Sequence, residues 1–261
     1  MLNVGLELIN TVIEISKRAG NEILKIYATD FQITTKLDKT PVTEADQKAE
    51  ILILRSIREG VTDKFPIVSE EAATNREIPD FKETPFWLVD PLDGTKEFIK
   101  RNDEFTVNIA LIENNRPIVG VITIPAKDTT YWGSIHGSYV QRGGEAPLKI
   151  SCRPPPSSGL CAVLSRSHIT PDTYNYLSNF SITQKISAGS SLKFCLIAEG
   201  KADLYPRLGR TMEWDTAAGH AILRFAGGKI ETIEGKELIY GKKGLENPHF
   251  IASCLDFESK N

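Results

Sequence analysis

Phe86-Trp87-Leu88-Val89-Asp90-Pro91-Leu92-Asp93-Gly94-Thr95 joins an apolar run to a pair of carboxylates and a helix start. The first four residues are unbroken apolar and short, the pattern of a buried strand. Asp90 and Asp93 follow where Pro91 and Gly94 interrupt it, which predicts a turn at the C-terminal edge of the strand. Two carboxylates on such a turn face one cavity and resist joint ionisation. A hard divalent cation removes that conflict, and Mg²⁺ prefers oxygen ligands. Gly94-Thr95-Lys96 then supplies backbone N–H groups, a hydroxyl and an ammonium where a helix begins, which suits an anion. Metal and phosphate at one turn point to phosphoryl chemistry.

Upstream, Leu8, Val12, Ile15, Ala19 and Ile23 recur at helical spacing and predict an amphipathic helix over 4–27. Thr43 opens a second helix to about Glu59, and Asp46 three residues later resembles the acidic half of a capping box. Pro66-Ile67-Val68-Ser69 reads as a short strand delivering Glu70 and Glu71. Downstream, Phe105–Ile112 and Pro117–Thr123 read as paired strands, extended by Tyr131–Ser134 and Gly137–Gln141. Arg153–Gly159 contains three successive prolines and is the best linker. Beyond it come a strand at Leu160–Leu164, a helix at Ser190–Ala198 and a strand at Ala202–Tyr205. A last helix opens at Trp214-Asp215 and closes at Gly227-Gly228. This order predicts a layered α/β protein, one catalytic domain with lobes 1–152 and 153–261 meeting at a cleft.

A net charge of −3 over 261 residues excludes a surface built to coat nucleic acid. The four cysteines form no Cys-x-x-Cys, which suits a reduced, cytoplasmic chain; a peripheral stay at the inner membrane face is left open. Glu7 and Glu14 lie within the first apolar stretch and argue against a signal peptide. No apolar run approaches the ~18 residues of a membrane span.

Singly, the candidate residues have plainer explanations. Asp46 and Asp215 could cap helices, Glu70 and Glu71 could be surface charges, and Asp90 and Asp93 could be turn formers. His168 could be a polar loop residue and Lys193 part of an exposed helix face. An EF-hand fails, because the sixth position from Asp93 is Phe98 where glycine is required. Together, Asp46, Glu70, Asp90, Asp93 and Asp215 fit a site for two or three metals better than separate coincidences.

Val68-Ser69-Glu70-Glu71, Trp87-Leu88-Val89-Asp90-Pro91-Leu92-Asp93-Gly94-Thr95 and Trp214-Asp215-Thr216-Ala217-Ala218-Gly219 resemble the three signatures of the inositol monophosphatase superfamily, in matching order and spacing. Lys96-Glu97-Phe98-Ile99 and Asp203-Leu204-Tyr205-Pro206-Arg207 are similar to its 3′(2′),5′-bisphosphate nucleotidase branch. The resemblance implies alternating αβαβα layers and Mg²⁺-dependent hydrolysis of a phosphomonoester with two or three ions. It implies Glu70, Asp90, the Leu92 carbonyl, Asp93 and Asp215 as metal ligands, with Glu71 either behind them or touching a third metal. Asp46 and Thr95 would orient and deprotonate the attacking water, and the Gly94 and Thr95 N–H groups would hold phosphate oxygens. A nucleotide would be held by Ser167-His168, Ser190, Lys193 and Arg207, with Glu70, Leu92, Asp93, Gly94, Thr95 and Asp215 also lining its place. The expected reaction removes the 3′-phosphate of adenosine 3′,5′-bisphosphate to give AMP and phosphate, with the sulfated analogue as a second substrate, in sulfate assimilation. Inhibition by Li⁺ is expected from the resemblance, and by Ca²⁺ from its larger, looser coordination. Inositol-1-phosphate or sugar-bisphosphate hydrolysis is the near alternative, and a non-catalytic nucleotide-binding regulator the distant one. Expected partners are small-molecule nucleotide bisphosphates, with no nucleic acid and no membrane span, for a monomer or homodimer.

Overall fold

The computed structural model describes residues 4–35, 41–74, 78–79, 81 and 84–254. It opens on α1 (Leu6–Tyr27), whose Ile9, Val12, Ile15, Ala19 and Ile23 form the buried stripe that the spacing predicts. A hairpin of β1 (Ile33–Thr35) and β2 (Pro41–Thr43) leads into α2 (Glu44–Gly60). Thr43 is the N-cap of α2 and Asp46 completes the capping box. Then follow β3 (Ile67–Ser69), α3 (Glu70–Thr74), β4 (Phe86–Asp93), α4 (Thr95–Ile99), β5 (Thr106–Glu113), β6 (Arg116–Ile124), β7 (Thr129–Ser134), β8 (Gly137–Arg142) and β9 (Leu148–Ile150). Residues 151–159 carry no helix or strand. The remainder comprises β10 (Leu160–Ser165), α5 (Pro171–Leu177), β11 (Ile182–Ala188), α6 (Leu192–Ala198), β12 (Leu204–Arg207), α7 (Glu213–Phe225), β13 (Lys229–Thr232) and β14 (Phe250–Ser253).

β3 to β9 form a seven-stranded sheet in sequence order. β3 and β4 are parallel and the later pairs antiparallel. The five-stranded sheet runs β11-β10-β12-β14-β13. Its β10 is parallel to both neighbours, and β14 is antiparallel to both of its own. Alternation along β4 divides its side chains between two cores, as a strand buried on both faces requires. Trp87 and Val89 pack with Ile53 of α2 and the buried stripe of α1. Phe86 and Leu88 share the second core with Phe194, Ala217, Ile222 and Phe250, so α6 and α7 lie between the sheets. Leu160 and Leu164 face outward onto Leu177 of α5. The layers are therefore αβαβα. Gly120 shows how tightly α7 is seated on the first sheet: a Cβ there would lie 2.4 Å from the Ala218 carbonyl oxygen.

Several boundaries differ from expectation by a residue or two, and three of the differences lie on elements that line the cavity. β4 does not end at Val89 in a turn but continues through Asp93, with its register against β5 shifting between Asp90 and Asp93. Pro91 is tolerated inside that bulge, where no ladder donor is needed. α6 starts at Leu192 rather than Ser190, because Ser190 has φ of +48°, which no helix accepts. β12 starts at Leu204 rather than Ala202. Among the described residues, no helix is long and apolar enough to cross a membrane.

Candidate active site

The bulge in β4 gives the chain its acidic centre. Asp90 pairs with Asn108 and Asp93 with Thr106, so the skipped register is taken up between the two carboxylates. The Leu92 N–H donates to Asp90 Oδ1 at 3.1 Å and steadies the kink. Glu70 is the first residue of α3, delivered by the strand beside β4. Asp215 is in the first turn of α7, where its Oδ2 accepts the Met212 N–H at 2.8 Å. All four line one cavity of about 650 Å³, together with Leu92, Gly94, Thr95, His168, Ser190, Lys193 and Arg207. Of the residues singled out in the sequence for catalysis, metal or substrate, Asp46, Glu71 and Ser167 do not line it.

The carboxylates are crowded. Burial pushes the Asp90 carboxyl far above its ordinary range; the charges of Glu70, Asp93 and Asp215 add to this, as does a hydrogen bond shared with Glu70. Burial also raises Asp93 to about 6, with Lys193 opposing and Glu70 and Glu97 reinforcing. Asp215 is raised to about 8 by burial and then by Asp93 and Glu70, against the Met212 N–H and Arg207. An all-oxygen donor set under mutual repulsion fits hard divalent cations. Among the described residues no three His, Cys, Asp or Glu side chains are gathered as the shell of a single ion would be. Mg²⁺ needs no such cage, since it is commonly held by one or two carboxylates with the balance from water and phosphate.

These shifts set a pH dependence. A carboxyl whose pKa rises on folding stabilises the fold at low pH and loses that contribution as pH climbs. The metal-free protein is therefore expected to lose thermal stability from about pH 4, near the unfolded value, up to about pH 8, the folded value of Asp215. Added Mg²⁺ is expected to flatten the slope. Melting curves from pH 4 to 9 with chelator and with Mg²⁺ test this; a metal-free stability that rises toward pH 8 contradicts it.

Asp46 lies beneath the cavity and reaches it through Thr95. Its side chain is buried. Oδ2 accepts the Thr43 N–H at 2.8 Å and the Thr43 hydroxyl at 2.7 Å, while Oδ1 accepts the Thr95 hydroxyl at 3.2 Å. The helix-cap reading of Asp46 is thus correct, and the same carboxylate still meets the cavity's hydroxyl. Gly94, with φ of +89°, caps α4, and a Cβ there would lie 2.1 Å from Ser190 Oγ. The Ser190 hydroxyl donates to the Asp93 carbonyl at 2.9 Å, tying the α6 approach to the acidic turn.

The opposite wall is basic. Lys193 is buried, not exposed on a helix face. Its ammonium donates to the carbonyls of Ser190 and Ala188 and lies 5.3 Å from the Tyr205 ring centroid. Burial lowers it to about 8, with Asp93 pulling up and Arg207 pulling down. Arg207 ends β12, is buried, and donates Nη2 to the Arg210 carbonyl at 2.9 Å. Among the described residues its Nε is buried without a hydrogen-bond partner. Arg207 itself lines the cavity, and a guanidinium there suits an anion. His168 is exposed on the loop between β10 and α5, with Nε2 3.4 Å from Lys96 Nζ. Its ring is covered only in part, and that partial burial, then Arg207 and Lys96, lower its pKa to about 4, so the ring is neutral near pH 7. Glu97 also lines the cavity and is buried; it was legible as part of the motif after Thr95, yet drew no role from the sequence. Glu71 is buried, which removes its reading as a surface charge.

A bulged strand end bearing acids, a capped helix beneath it and a basic wall opposite define a phosphate-handling enzyme. The chain belongs to the inositol monophosphatase family, whose sequence profile matches residues 6–254; these are metal-dependent phosphatases. It is 40% identical over 250 residues to the 3′(2′),5′-bisphosphate nucleotidase CysQ of Escherichia coli K12, covering 94% of this chain and 99% of that protein. The namesake in Salmonella typhimurium LT2 is 41% identical over 247 residues, covering 93% and 98%. The crystal structure of CysQ from Bacteroides thetaiotaomicron superposes with a TM-score of 0.81 at 38% identity, covering 98% of this chain and 100% of that one.

Proposed function

We propose that this protein is a Mg²⁺-dependent 3′(2′),5′-bisphosphate nucleotidase that converts adenosine 3′,5′-bisphosphate to AMP and phosphate in the cytoplasm. The sulfated analogue is a second substrate, and the cellular task is disposal of the by-product of sulfate activation. The observation that carries this reading is the polarity of the cavity: an acidic wall faces a basic one that includes Lys193 and Arg207. Such a cavity suits a substrate with two phosphates, one cleaved and one only held. The names of the CysQ relatives support it.

Glu70, Asp90, the Leu92 carbonyl, Asp93 and Asp215 would hold two or three Mg²⁺ ions. Bound there, Mg²⁺ supplies Lewis acidity toward the phosphoryl group, acidity to water and charge neutralisation at the leaving oxygen. Thr95 and Asp46 provide the proton path. A water donating to Thr95 Oγ1 passes its proton on as Thr95 gives its own to Asp46 Oδ1. The N–H groups of Gly94 and Thr95 orient the phosphate to be cleaved. Arg207 and Lys193 hold the 5′-phosphate, and the neutral His168 ring packs against the nucleoside. The lobes 1–152 and 153–261 thus divide the work, except that Asp215 comes from the second.

The test is a panel of adenosine 3′,5′- and 2′,5′-bisphosphates, inositol-1-phosphate and fructose-1,6-bisphosphate with Mg²⁺. Preference for the nucleotides is expected; preference for inositol phosphate overturns the reading, and no phosphate release on any of them favours a regulator. Arg207→Ala is expected to cost the nucleotide about ten- to hundredfold in kcat/KM, the worth of a charge-assisted phosphate bond, and to spare inositol-1-phosphate. Equal losses on both substrates would count against a 5′-phosphate role.

A further inference from the structure

Glu104 lies in the loop between α4 and β5, outside the cavity lining, yet its bonds reach both loops of the basic wall. Its carboxylate accepts Nε and Nη2 of Arg166 at 2.8 and 3.0 Å and the Gly189 N–H at 2.8 Å. Its main-chain carbonyl accepts the Ser190 hydroxyl at 2.6 Å. Arg166 belongs to the loop that carries Ser167 and His168, and also donates Nη2 to the Ser187 carbonyl at 3.1 Å. Gly189 and Ser190 belong to the loop that leads to Lys193. One residue of the acidic side therefore fixes two separate loops of the basic side. Ser167 adds a second tie, donating Oγ to Glu97 Oε1 at 2.6 Å.

An exposed ion pair contributes little by its charge alone, and the Arg166 side chain is 42% exposed. Glu104 is different. Its side chain is 13% exposed, the Arg166 fork is bidentate, and a backbone N–H takes up further acceptor capacity. Partial burial disfavours its charge, but Arg166 and the Gly189 N–H outweigh this and hold the carboxyl below its usual range. Ser190 sits at φ of +48°, a conformation that a non-glycine residue keeps only when its surroundings impose it. The Glu104 carbonyl shares in holding it there with the Asp93 carbonyl and Lys193, and the Glu104 carboxylate fixes the preceding Gly189 N–H.

We propose that Glu104, gripped by Arg166, is a positioning residue that holds the nucleotide-side loops in register with the acidic turn. Its loss weakens the hold on the nucleotide and leaves the hydrolytic step nearly intact. This rests on the nucleotidase reading of the cavity.

The test compares the parent with Glu104→Ala, Glu104→Gln, Arg166→Ala and Arg166→Lys in Mg²⁺. The substrates are adenosine 3′,5′-bisphosphate and p-nitrophenyl phosphate, which has neither nucleoside nor second phosphate. KM for the bisphosphate is expected to rise about tenfold in both alanine variants, with kcat and p-nitrophenyl phosphate turnover within about threefold of the parent. Arg166→Lys, which keeps a charge but not the fork, should recover part of the KM. A double alanine variant should be no worse than either single one, since both break the same clamp. An unchanged KM, or a fall in kcat on both substrates alike, overturns the proposal. Should Glu104→Ala fail to fold, Arg166→Ala, altered at an exposed side chain, decides the question. If the parent ignores the bisphosphate and cleaves inositol-1-phosphate, the nucleotidase reading fails by itself. The same KM comparison on inositol-1-phosphate then decides the clamp.

Discussion

Asp90→Asn is expected to abolish phosphate release while making the metal-free protein more stable at pH 8. Both effects have one cause. Asp90 is buried among Glu70, Asp93 and Asp215, and its charge is tolerable only when cations neutralise it. Asparagine keeps the shape and can still accept the Leu92 N–H. It also offers an amide donor to Glu70, where the aspartate must share a proton. It removes one charge from the metal-holding set, and the several kcal/mol of transition-state stabilisation that divalent ions supply corresponds to roughly a thousandfold or more in rate. The stability gain should be present at pH 8 and absent near pH 4, where the aspartate is already protonated. Phosphate release with Mg²⁺ and melting with chelator at both pH values check it. Turnover within tenfold of the parent would remove Asp90 from the metal site, and a lower melting temperature at pH 8 would contradict the crowding.

The second large effect is at Thr95. Thr95→Ala is expected to lower kcat by about 10²- to 10⁴-fold, the usual span of a positioned general-base contribution, with KM little changed. Thr95 Oγ1 stands between the cavity and Asp46 Oδ1, so its removal leaves the buried carboxylate with no route to water. Thr95→Ser should restore most of the rate, because it returns the hydroxyl. The capping of α2 runs through Asp46 Oδ2 and Thr43, not through Thr95, so the melting temperature should move little. A Thr95→Ala enzyme with parental kcat would show that the proton leaves by another path.

The clustering of Asp90 and Asp93 at the end of β4 was legible because its signals are local, although the expected turn is a bulged strand. An apolar strand, a proline, a glycine and two carboxylates lie within ten residues, and each acts on its immediate neighbours. The capping box of Thr43 and Asp46 was legible for the same reason. The bulge was not, since a register shift is a relation between two strands and neither announces it alone. Lys193 could be read as an exposed helix position because nothing in its own segment reveals that Tyr205 and Asp93 enclose it. β11 was missed because its residues are mostly exposed and lack a clean apolar alternation. Arg166 and Glu104 gave no signal, since their pairing spans 62 residues and only the finished fold brings them together.

The seat of α7 on the first sheet has a consequence for how the chain is made. The strands from β3 to β9 end at Ile150, but the helix that covers their inner face is Glu213–Phe225. A ribosome releases the whole seven-stranded sheet long before it releases that helix. For the synthesis of more than sixty residues, the apolar face around Leu88, Ala110 and Ile122 has no lid of its own. The nascent chain in that interval presents what chaperones bind, an uncovered hydrophobic surface on a partly finished domain. Asp215 travels on the same late helix. The covering of the core and the arrival of the last acid are therefore one event, and no partly made chain carries a finished metal site.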